Sequence, residues 1–146
     1  MNKREQKTFI TGAIAASEQA GSRLTEPRRL VLEIIAGAGK PLGAYHILDE
    51  LSRRMDNPKP PTAYRAIEHW LGLGVIHRIA SLNAYMPCRS DHRHEGSQFM
   101  ICHACGTVVE AHLCELPQPL AEKAGREKFS LTSWNVELHG TCRKCL

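Results

Sequence analysis

Residues 60–79 read PPTAYRAIEHWLGLGVIHRI, and this stretch decides how the first part of the chain is interpreted. It predicts a helix that Thr62 caps and that ends near Gly72 or Gly74, followed by a strand-like run. When each residue advances by 100°, the apolar positions share one face of the helix. These positions are Ala63, Ile67, Trp70 and Leu71.

The opposite face of this helix is polar and carries Thr62, Arg65 and His69. Tyr64 lies at its shoulder. An exposed arginine can read a guanine edge through two hydrogen bonds, whereas a tyrosine ring can contact a thymine methyl or a phosphate. Other basic residues are candidates for phosphate contacts: Arg28, Arg29, Lys59 and Arg78. Taken one by one, such residues are more often simple solubility charges.

The elements on either side of this stretch give the order of a winged helix-turn-helix. Helices are predicted before it: residues 3–20, a helix capped by Thr25 and broken at Gly37, and roughly residues 43–54. Two strand-like runs follow it, Val75–Ala80 and Ala84–Pro87, and the short turn between them predicts a β-hairpin. Residues 1–87 are therefore assigned to one winged-helix domain.

Residues 88–97 are polar apart from Cys88, which predicts a hinge. A small second domain, residues 98–146, then mixes strands and a helix, so the fold class is α+β. Its predicted elements are strands over Gln98–Cys102 and Thr107–Leu113, a helix from Pro117 to about Lys128, and a strand ending near Leu138.

Alternation separates the two faces of a predicted strand in this second part. Along Thr107–Leu113, the apolar side chains of Val109, Ala111 and Leu113 point one way. Glu110 and His112 point the other way, on what is then the polar face. The short helix is expected to bury three residues: Leu120, Ala121 and Ala124.

Composition narrows the class of protein. The chain has 146 residues, 42% of them apolar, which is enough for a modest core. An apolar run of the ~20 residues that a membrane helix needs is missing, which excludes a transmembrane protein. The net charge of +4 arises entirely in residues 1–88, which favours a nucleic-acid-facing first half. The start fits an amphipathic helix better than a signal peptide, so a cytoplasmic location is expected.

The six cysteines carry the strongest signal for a metal. Four of them form two Cys-x-x-Cys pairs, Cys102 with Cys105 and Cys142 with Cys145. Four thiolates suit tetrahedral structural zinc and leave no position for a catalytic water, so an enzyme is not expected. The other interpretations are two unconnected pairs or redox dithiols. A zinc deaminase is disfavoured because its His-x-Glu and Pro-Cys-x-x-Cys signature is missing.

A second set of potential ligands is spread more widely: His77, Cys88, His92, His94 and Glu110. Histidine, cysteine and carboxylate are competent zinc ligands. Each residue also has an ordinary explanation, as a surface residue, a small buried hydrophobe or a solvated charge. Cys114, His103, His112 and His139 are spare candidates for which such ordinary roles are favoured.

Five motifs together carry a family resemblance. In chain order they are Leu24-Thr-x-Pro-Arg-Arg, Thr62-Ala-Tyr-Arg-Ala-Ile, Gly74-Val-Ile-His-Arg-Ile, Phe99-x-Ile-Cys-x-x-Cys-Gly and His139-Gly-x-Cys-x-x-Cys. This order resembles the ferric uptake regulator (Fur) superfamily of bacterial metal-sensing repressors over nearly the whole chain. Within the superfamily, the positions of His77 and Cys88 are most similar to those of its zinc-sensing branch.

The resemblance implies a winged-helix DNA-binding domain, a hinge and a carboxy-terminal dimerisation domain. It implies two zinc ions per protomer, one structural and one regulatory. The structural ligands would be Cys102, Cys105, Cys142 and Cys145. The regulatory ligands would be His77, Cys88, His94 and Glu110, with His92 as a substitute for His94. The Cys88 thiolate favours Zn²⁺ over Fe²⁺ or Mn²⁺.

The function implied is a zinc-responsive repressor of zinc uptake genes that binds operator DNA as a homodimer. The residues expected at DNA are Tyr64, Arg65, Thr62, Lys59 and Arg28. No membrane or small-molecule substrate is expected as a partner. The competing interpretations are an iron or peroxide sensor of the same superfamily and a zinc-stabilised interaction module without a DNA role.

Overall fold

A computed structural model describes residues 1–89, 96–111 and 115–146. The backbone divides into two compact units, unit 1 with residues 1–88 and unit 2 with residues 89–146. Within the described residues, no helix has both the length and the apolar character that crossing a membrane requires. The predicted hinge at 88–97 lies mostly outside the described residues.

Unit 1 is a winged helix-turn-helix, as predicted. Its elements are α1 (Lys3–Gln19), α2 (Glu26–Gly37), β1 (Leu42–Gly43), α3 (Ala44–Ser52), α4 (Pro60–Gly72), β2 (Ile76–Ile79) and β3 (Ala84–Pro87). The three strands form an antiparallel sheet in the order β1-β3-β2. The two-residue strand β1 is too short to leave a periodic signal, so the sequence did not predict it.

Helix α4 begins earlier than predicted. Its N-cap is Lys59 and its first residues are Pro60 and Pro61, so the prediction that Thr62 caps the helix is wrong. Proline suits the first turn because the backbone N–H that it lacks would have no partner inside the helix. Thr62 lies within that turn and its backbone N–H donates to Lys59 O at 2.9 Å.

The core of unit 1 is apolar and contains side chains from every helix. Trp70 and Ile67 from α4 are fully buried with Leu32 and Ile35 from α2 and Ile47 from α3. Burying a side chain of this size contributes roughly 1.5–3 kcal/mol. Helix α1 adds Ala13, Ile14 and Phe9 to this cluster. The helical periodicity therefore identified the correct faces.

Unit 2 consists of β4 (Gly96–Cys102), β5 (Val108–Glu110), α5 (Gln118–Arg126) and β6 (Trp134–Gly140). Its strands are ordered β5-β4-β6, with β4 antiparallel to β5 and parallel to β6. Strand β4 begins at Gly96, two residues before the predicted start. A Cβ at Gly96 would lie 2.0 Å from Cδ2 of Trp134, so only glycine allows this ring to cross the strand.

The predicted burial of unit 2 is partly wrong. Val109 is 48% exposed, whereas Glu110 lies opposite the fully buried Phe99 and is half-buried. In α5, Leu120 and Ala121 are exposed and only Ala124 is half-buried. Alternation gives the two faces of a strand but not which face a neighbour covers, and here the more apolar face stays open in a single chain.

Candidate metal centres and the exposed helix

The two Cys-x-x-Cys pairs meet because β4 and β6 run parallel. Cys102 is the last residue of β4 and pairs with Gly140, the last residue of β6. Each strand therefore delivers its chain to the same end of the sheet, where the two pairs follow. The four Sγ atoms all lie within 4.8 Å of one another, and those of Cys105 and Cys142 are 3.7 Å apart. This convergence excludes the interpretation as two unconnected pairs.

Tight turns aim the thiols of each pair in one direction. Gly106 N–H donates to Cys102 O at 2.9 Å, and Cys145 N–H donates to Cys142 O at 2.8 Å. Gly106 has a φ of +71°, a left-handed conformation that glycine adopts without steric cost. The backbone of His103 also donates to Gly140 O at 3.0 Å, which ties the first turn to the end of β6.

The backbone around these cysteines favours thiolate at the carboxyl end of β4. Cys142 N–H donates to Cys102 Sγ at 3.3 Å, and this hydrogen bond is the main cause that lowers the pKa of Cys102 to about 6. Thr107 Oγ1 lies 3.1 Å from Cys105 Sγ, and hydrogen bonding to Thr107 lowers the pKa of Cys105.

Cys145 behaves in the opposite way. Hydrogen bonding to the neighbouring Cys142 and Cys105 sulfur atoms raises the pKa of Cys145 to about 12. A thiol so close to other sulfur atoms keeps its proton unless a cation compensates the added negative charge. Four converging sulfurs with no oxygen or nitrogen ligand among them fit tetrahedral Zn²⁺, which deprotonates the thiols that it binds.

The second set of potential ligands is divided between the two units. In unit 1, His77 on β2 and Cys88 after β3 have a ring nitrogen and Sγ within 4.8 Å of each other. Cys88 N–H donates to Val75 O at 2.9 Å, which extends the β2–β3 pairing to this residue. Cys88 is buried, with 7% of its surface exposed.

In unit 2, Glu110 ends β5 and its carboxylate accepts a hydrogen bond from the backbone N–H of Arg89 at 3.2 Å. Arg89 directly follows Cys88 in the chain. His92, His94, His112 and Cys114 lie outside the described residues. Of the spare candidates, His103 bonds Thr141 at 3.3 Å and His139 lies 3.6 Å from Glu137.

Helix α4 exposes the residues that the sequence assigned to DNA contact. Tyr64 is 44% exposed and Arg65 is also exposed, on the side away from the buried Ala63 and Trp70. His69 lies on the same side of α4 as Arg65, as predicted, but it is less open to solvent. Its ring is half-buried and bonds Ser17 of α1.

The other basic candidates have local partners. Lys59 is exposed and its Nζ donates to Asn57 at 3.2 Å. Arg78 on β2 donates to Asn83 in the hairpin turn at 2.9 Å. Arg28 donates to Arg23 O at 2.7 Å, and Arg29 forms an ion pair with Glu33 at 2.9 Å. The partners fix these side chains without burying their charges.

Sequence reasoning missed one exposed aromatic residue. Tyr45, in the first turn of α3, is 84% exposed, which is unusual for a ring of this size. The buried Ile47 and Leu51 define the opposite face of α3. A helical projection of α3 would have shown this position, since Tyr45 lies about 200° from Ile47 when each residue advances by 100°.

Comparison with known proteins gives consistent matches. The sequence profile of the Ferric uptake regulator family matches residues 19–139. The zinc uptake regulation protein of Escherichia coli (strain K12) is 31% identical over 147 residues, covering 100% of this chain and 86% of that protein. A solved zinc uptake regulator complexed with zinc and DNA is 30% identical, with a TM-score of 0.89 over 96% of this chain and 94% of its own. The crystal structure of holo XcZur is 34% identical, with a TM-score of 0.79 and coverages of 94% and 96%.

Proposed function

The chain belongs to the ferric uptake regulator family, and on that premise we propose that it is a zinc-responsive transcriptional repressor. It binds operator DNA as a zinc-loaded homodimer and controls zinc uptake genes, in the cytoplasm where that DNA lies. The likeness over nearly the whole chain to a regulator solved with zinc and DNA carries this proposal. The family consists of regulators, and the four-sulfur site leaves no open position for catalysis.

The four-cysteine site holds structural zinc. Its ligands are Cys102, Cys105, Cys142 and Cys145, whose sulfur atoms converge at the end of the sheet. Unit 2 is small and its described apolar core is limited to Phe99, Ile101 and Cys102. A domain of this size commonly needs a metal or a partner chain to fold.

A second zinc ion per protomer is bound by His77, Cys88, Glu110 and His94, with His92 as the substitute for His94. The neighbouring ligand atoms of His77 and Cys88 support this set. The hydrogen bond from Arg89 to Glu110 supports it too, because Arg89 is covalently next to Cys88. One thiolate among nitrogen and oxygen ligands favours Zn²⁺ over Fe²⁺, which argues against an iron or peroxide sensor.

These ligands connect metal supply to DNA binding because they come from both units. His77 and Cys88 belong to unit 1, whereas Glu110 belongs to unit 2. Holding one ion with all of them restricts the angle between the units. Zinc favours the DNA-binding arrangement only to the extent that it binds this arrangement more tightly than the others. For allosteric couplings this difference is typically ~1–3 kcal/mol.

Operator recognition uses α4 and its surroundings. Tyr64 and Arg65 contact base edges, while Thr62, Lys59 and Arg28 contact the backbone. In a homodimer, the two α4 helices enter major grooves about 34–36 Å apart, one helical turn of DNA. The exposed apolar surface of unit 2 supports dimerisation, since Met100 and Leu138 are 47% and 56% exposed on one face of the sheet.

The decisive experiment removes the regulatory ion and leaves the structural one. Zinc per protomer is counted before and after mild chelation, and binding to duplexes enriched from a random-sequence library is measured in both states. We expect two ions and tight binding before chelation, and one ion and weak binding afterwards. Equal binding by the two states contradicts the proposal, and so does tighter binding with Fe²⁺ or Mn²⁺ than with Zn²⁺.

Replacing Cys88 by serine separates regulation from folding. We expect Cys88→Ser to retain one zinc ion and the fold but to lose the zinc dependence of DNA binding, because serine is a poor zinc ligand. Circular dichroism and zinc content check this outcome. Global unfolding of the variant would assign Cys88 to the structure of unit 1 instead.

A further inference from the structure

A buried hydroxyl links the first helix of unit 1 to α4. Ser17 of α1 is completely buried. Among the described residues of unit 1, no other polar side chain is buried in this way. Its Oγ lies 2.9 Å from Nε2 of His69, in the last turns of α4. A buried serine hydroxyl without a partner would be costly, so this hydrogen bond is a directional constraint between two helices, made by residues 52 positions apart in the chain.

A second directional contact lies beside the first. The ring of His69 packs edge-on against Trp70, with centroids 4.7 Å apart and an interplanar angle of 68°. The indole N–H of Trp70 donates to Arg28 O of α2 at 2.8 Å. The carboxy-terminal half of α4 is thus tied to α1 by His69 and to α2 by Trp70.

The two halves of α4 therefore have different roles. Tyr64 and Arg65 are exposed in the first half, and His69 lies one helical turn after Arg65 on the same side of the helix. A rotation or tilt of α4 that stretched the contact between Ser17 and His69 would also move the Arg65 guanidinium. Base readout tolerates little such movement, because a bidentate contact requires both hydrogen bonds at once.

We propose that His69, held by Ser17, is a positioning residue for DNA binding: it fixes the direction of α4 and hence the placement of Arg65. The inference rests on the proposed function, in which α4 reads the operator. His69 touches no base; it acts through the helix that it fixes. Ser17 and His69 act together as one contact, and the sequence motifs assigned a role to neither residue.

The protonation of His69 offers a readout that a purely structural role lacks. Burial lowers the pKa of His69, and the positive charge of Arg28 on α2 lowers it further. Ser17 on α1 does not titrate, and Trp70 beside it is neutral, so Arg28 is the charge that acts on the ring. Neutral His69 is favoured in the folded state, and protonation opposes that state as the pH falls below about 6.5.

Matched variants test the inference. Ser17→Ala removes the hydroxyl, His69→Leu removes the ring nitrogens, and His69→Gln keeps a hydrogen-bonding group at a similar reach without titrating. Ser52→Ala is the control, because Ser52 Oγ donates only within α3, to Leu48 O at 2.8 Å. Affinity for the library-enriched duplex is measured with saturating zinc, at a temperature where every variant is folded.

We expect Ser17→Ala and His69→Leu to weaken binding about three- to tenfold, the effect of one neutral hydrogen bond. Ser52→Ala and His69→Gln should bind like the parent protein at neutral pH. As the pH falls through the lowered pKa of His69, the parent protein should weaken relative to His69→Gln. The Ser17→Ala and His69→Leu losses should not add in the double variant, because both remove the same contact.

Two outcomes overturn the inference alone. One is operator affinity in Ser17→Ala and His69→Leu that equals that of the parent protein. The other is a His69→Gln variant as weak as His69→Leu, which would show that the ring fills space and does not orient α4. If the zinc-loaded parent protein enriches no duplex from the library, the proposed function fails first and the inference fails with it.

Discussion

The two units of this chain are stabilised in different ways. Unit 1 buries apolar side chains from all four of its helices around Trp70. In unit 2, α5 has no buried residue, and the described apolar core is Phe99, Ile101 and Cys102. Unit 1 folds as an ordinary small domain does, by removing apolar surface from water. Unit 2 buries much less apolar surface, so we expect its stability to depend on the proposed zinc site at one end of the sheet and on a second copy at its open face.

The strongest test of this contrast replaces one cysteine of the proposed zinc site. We expect Cys105→Ser to abolish the protection of unit 2 against amide hydrogen exchange and to leave that of unit 1 intact, since structural zinc supplies folding free energy. Hydrogen–deuterium exchange of peptides from each unit measures both effects in one sample. Loss of protection in unit 1 would show that the two units do not fold independently.

Truncating a core side chain should produce the reverse pattern. Ile67→Ala should lower the free energy of unfolding of unit 1 by roughly 2–5 kcal/mol, the range for large-to-small changes in a packed core. Denaturant unfolding measures the loss. The matched variant Leu138→Ala in unit 2 removes a side chain that is 56% exposed. It should change protomer stability by less than about 0.5 kcal/mol but weaken self-association, which sedimentation detects.

A third change tests DNA recognition by unit 1 and leaves the stability of that unit unchanged. Arg65→Ala should cost roughly 1–3 kcal/mol at one base pair and relax the sequence preference there. Lys59→Ala, the matched control, should weaken binding to all sequences and reduce the salt dependence by about one counterion. Footprinting and salt titrations separate the two. An unchanged sequence preference in Arg65→Ala would remove that residue from base readout.

The smallest expected effect concerns two glycines. Gly12 lies inside α1 with nothing within 4 Å of a Cβ placed there, so Gly12→Ala should raise the stability of unit 1 by about 0.5–1 kcal/mol. Gly96→Ala should instead destabilise unit 2, because its Cβ would collide with Trp134. Thermal unfolding of both variants checks the signs. Stabilisation by both would mean that the contact between Gly96 and Trp134 relaxes.

The sequence predicted unit 1 better than unit 2 for a physical reason. Helical periodicity records which face a single domain buries, so the inward face of α4 was correct at Ala63, Ile67 and Trp70. The start of α4 was placed at Thr62, two residues too late, although the two preceding prolines suit a first turn. The partial burial of His69 was missed because its hydrogen-bond partner, Ser17, comes from another helix and is brought near only by the tertiary packing.

In unit 2 the pattern of residue types was more informative than periodicity. Paired cysteines predicted a four-sulfur cluster because the chemistry of a thiolate site needs little knowledge of packing. Alternation along β5 placed Glu110 and Val109 on opposite faces, but it cannot tell a covered face from one that is open in a single chain. The ligand sets, the DNA contacts and the domain roles stay predictions until the experiments above are made.

The strand order of unit 2 has a consequence for the protein in the cell. Among the described residues, β6 is a border strand of seven residues whose outer backbone groups face no other strand. The backbone of such a strand can pair with a strand of another chain, and proteins usually prevent this pairing with charged residues or proline. Because pairing between chains requires that they meet, mispairing along β6 is expected to increase with the concentration of the protein.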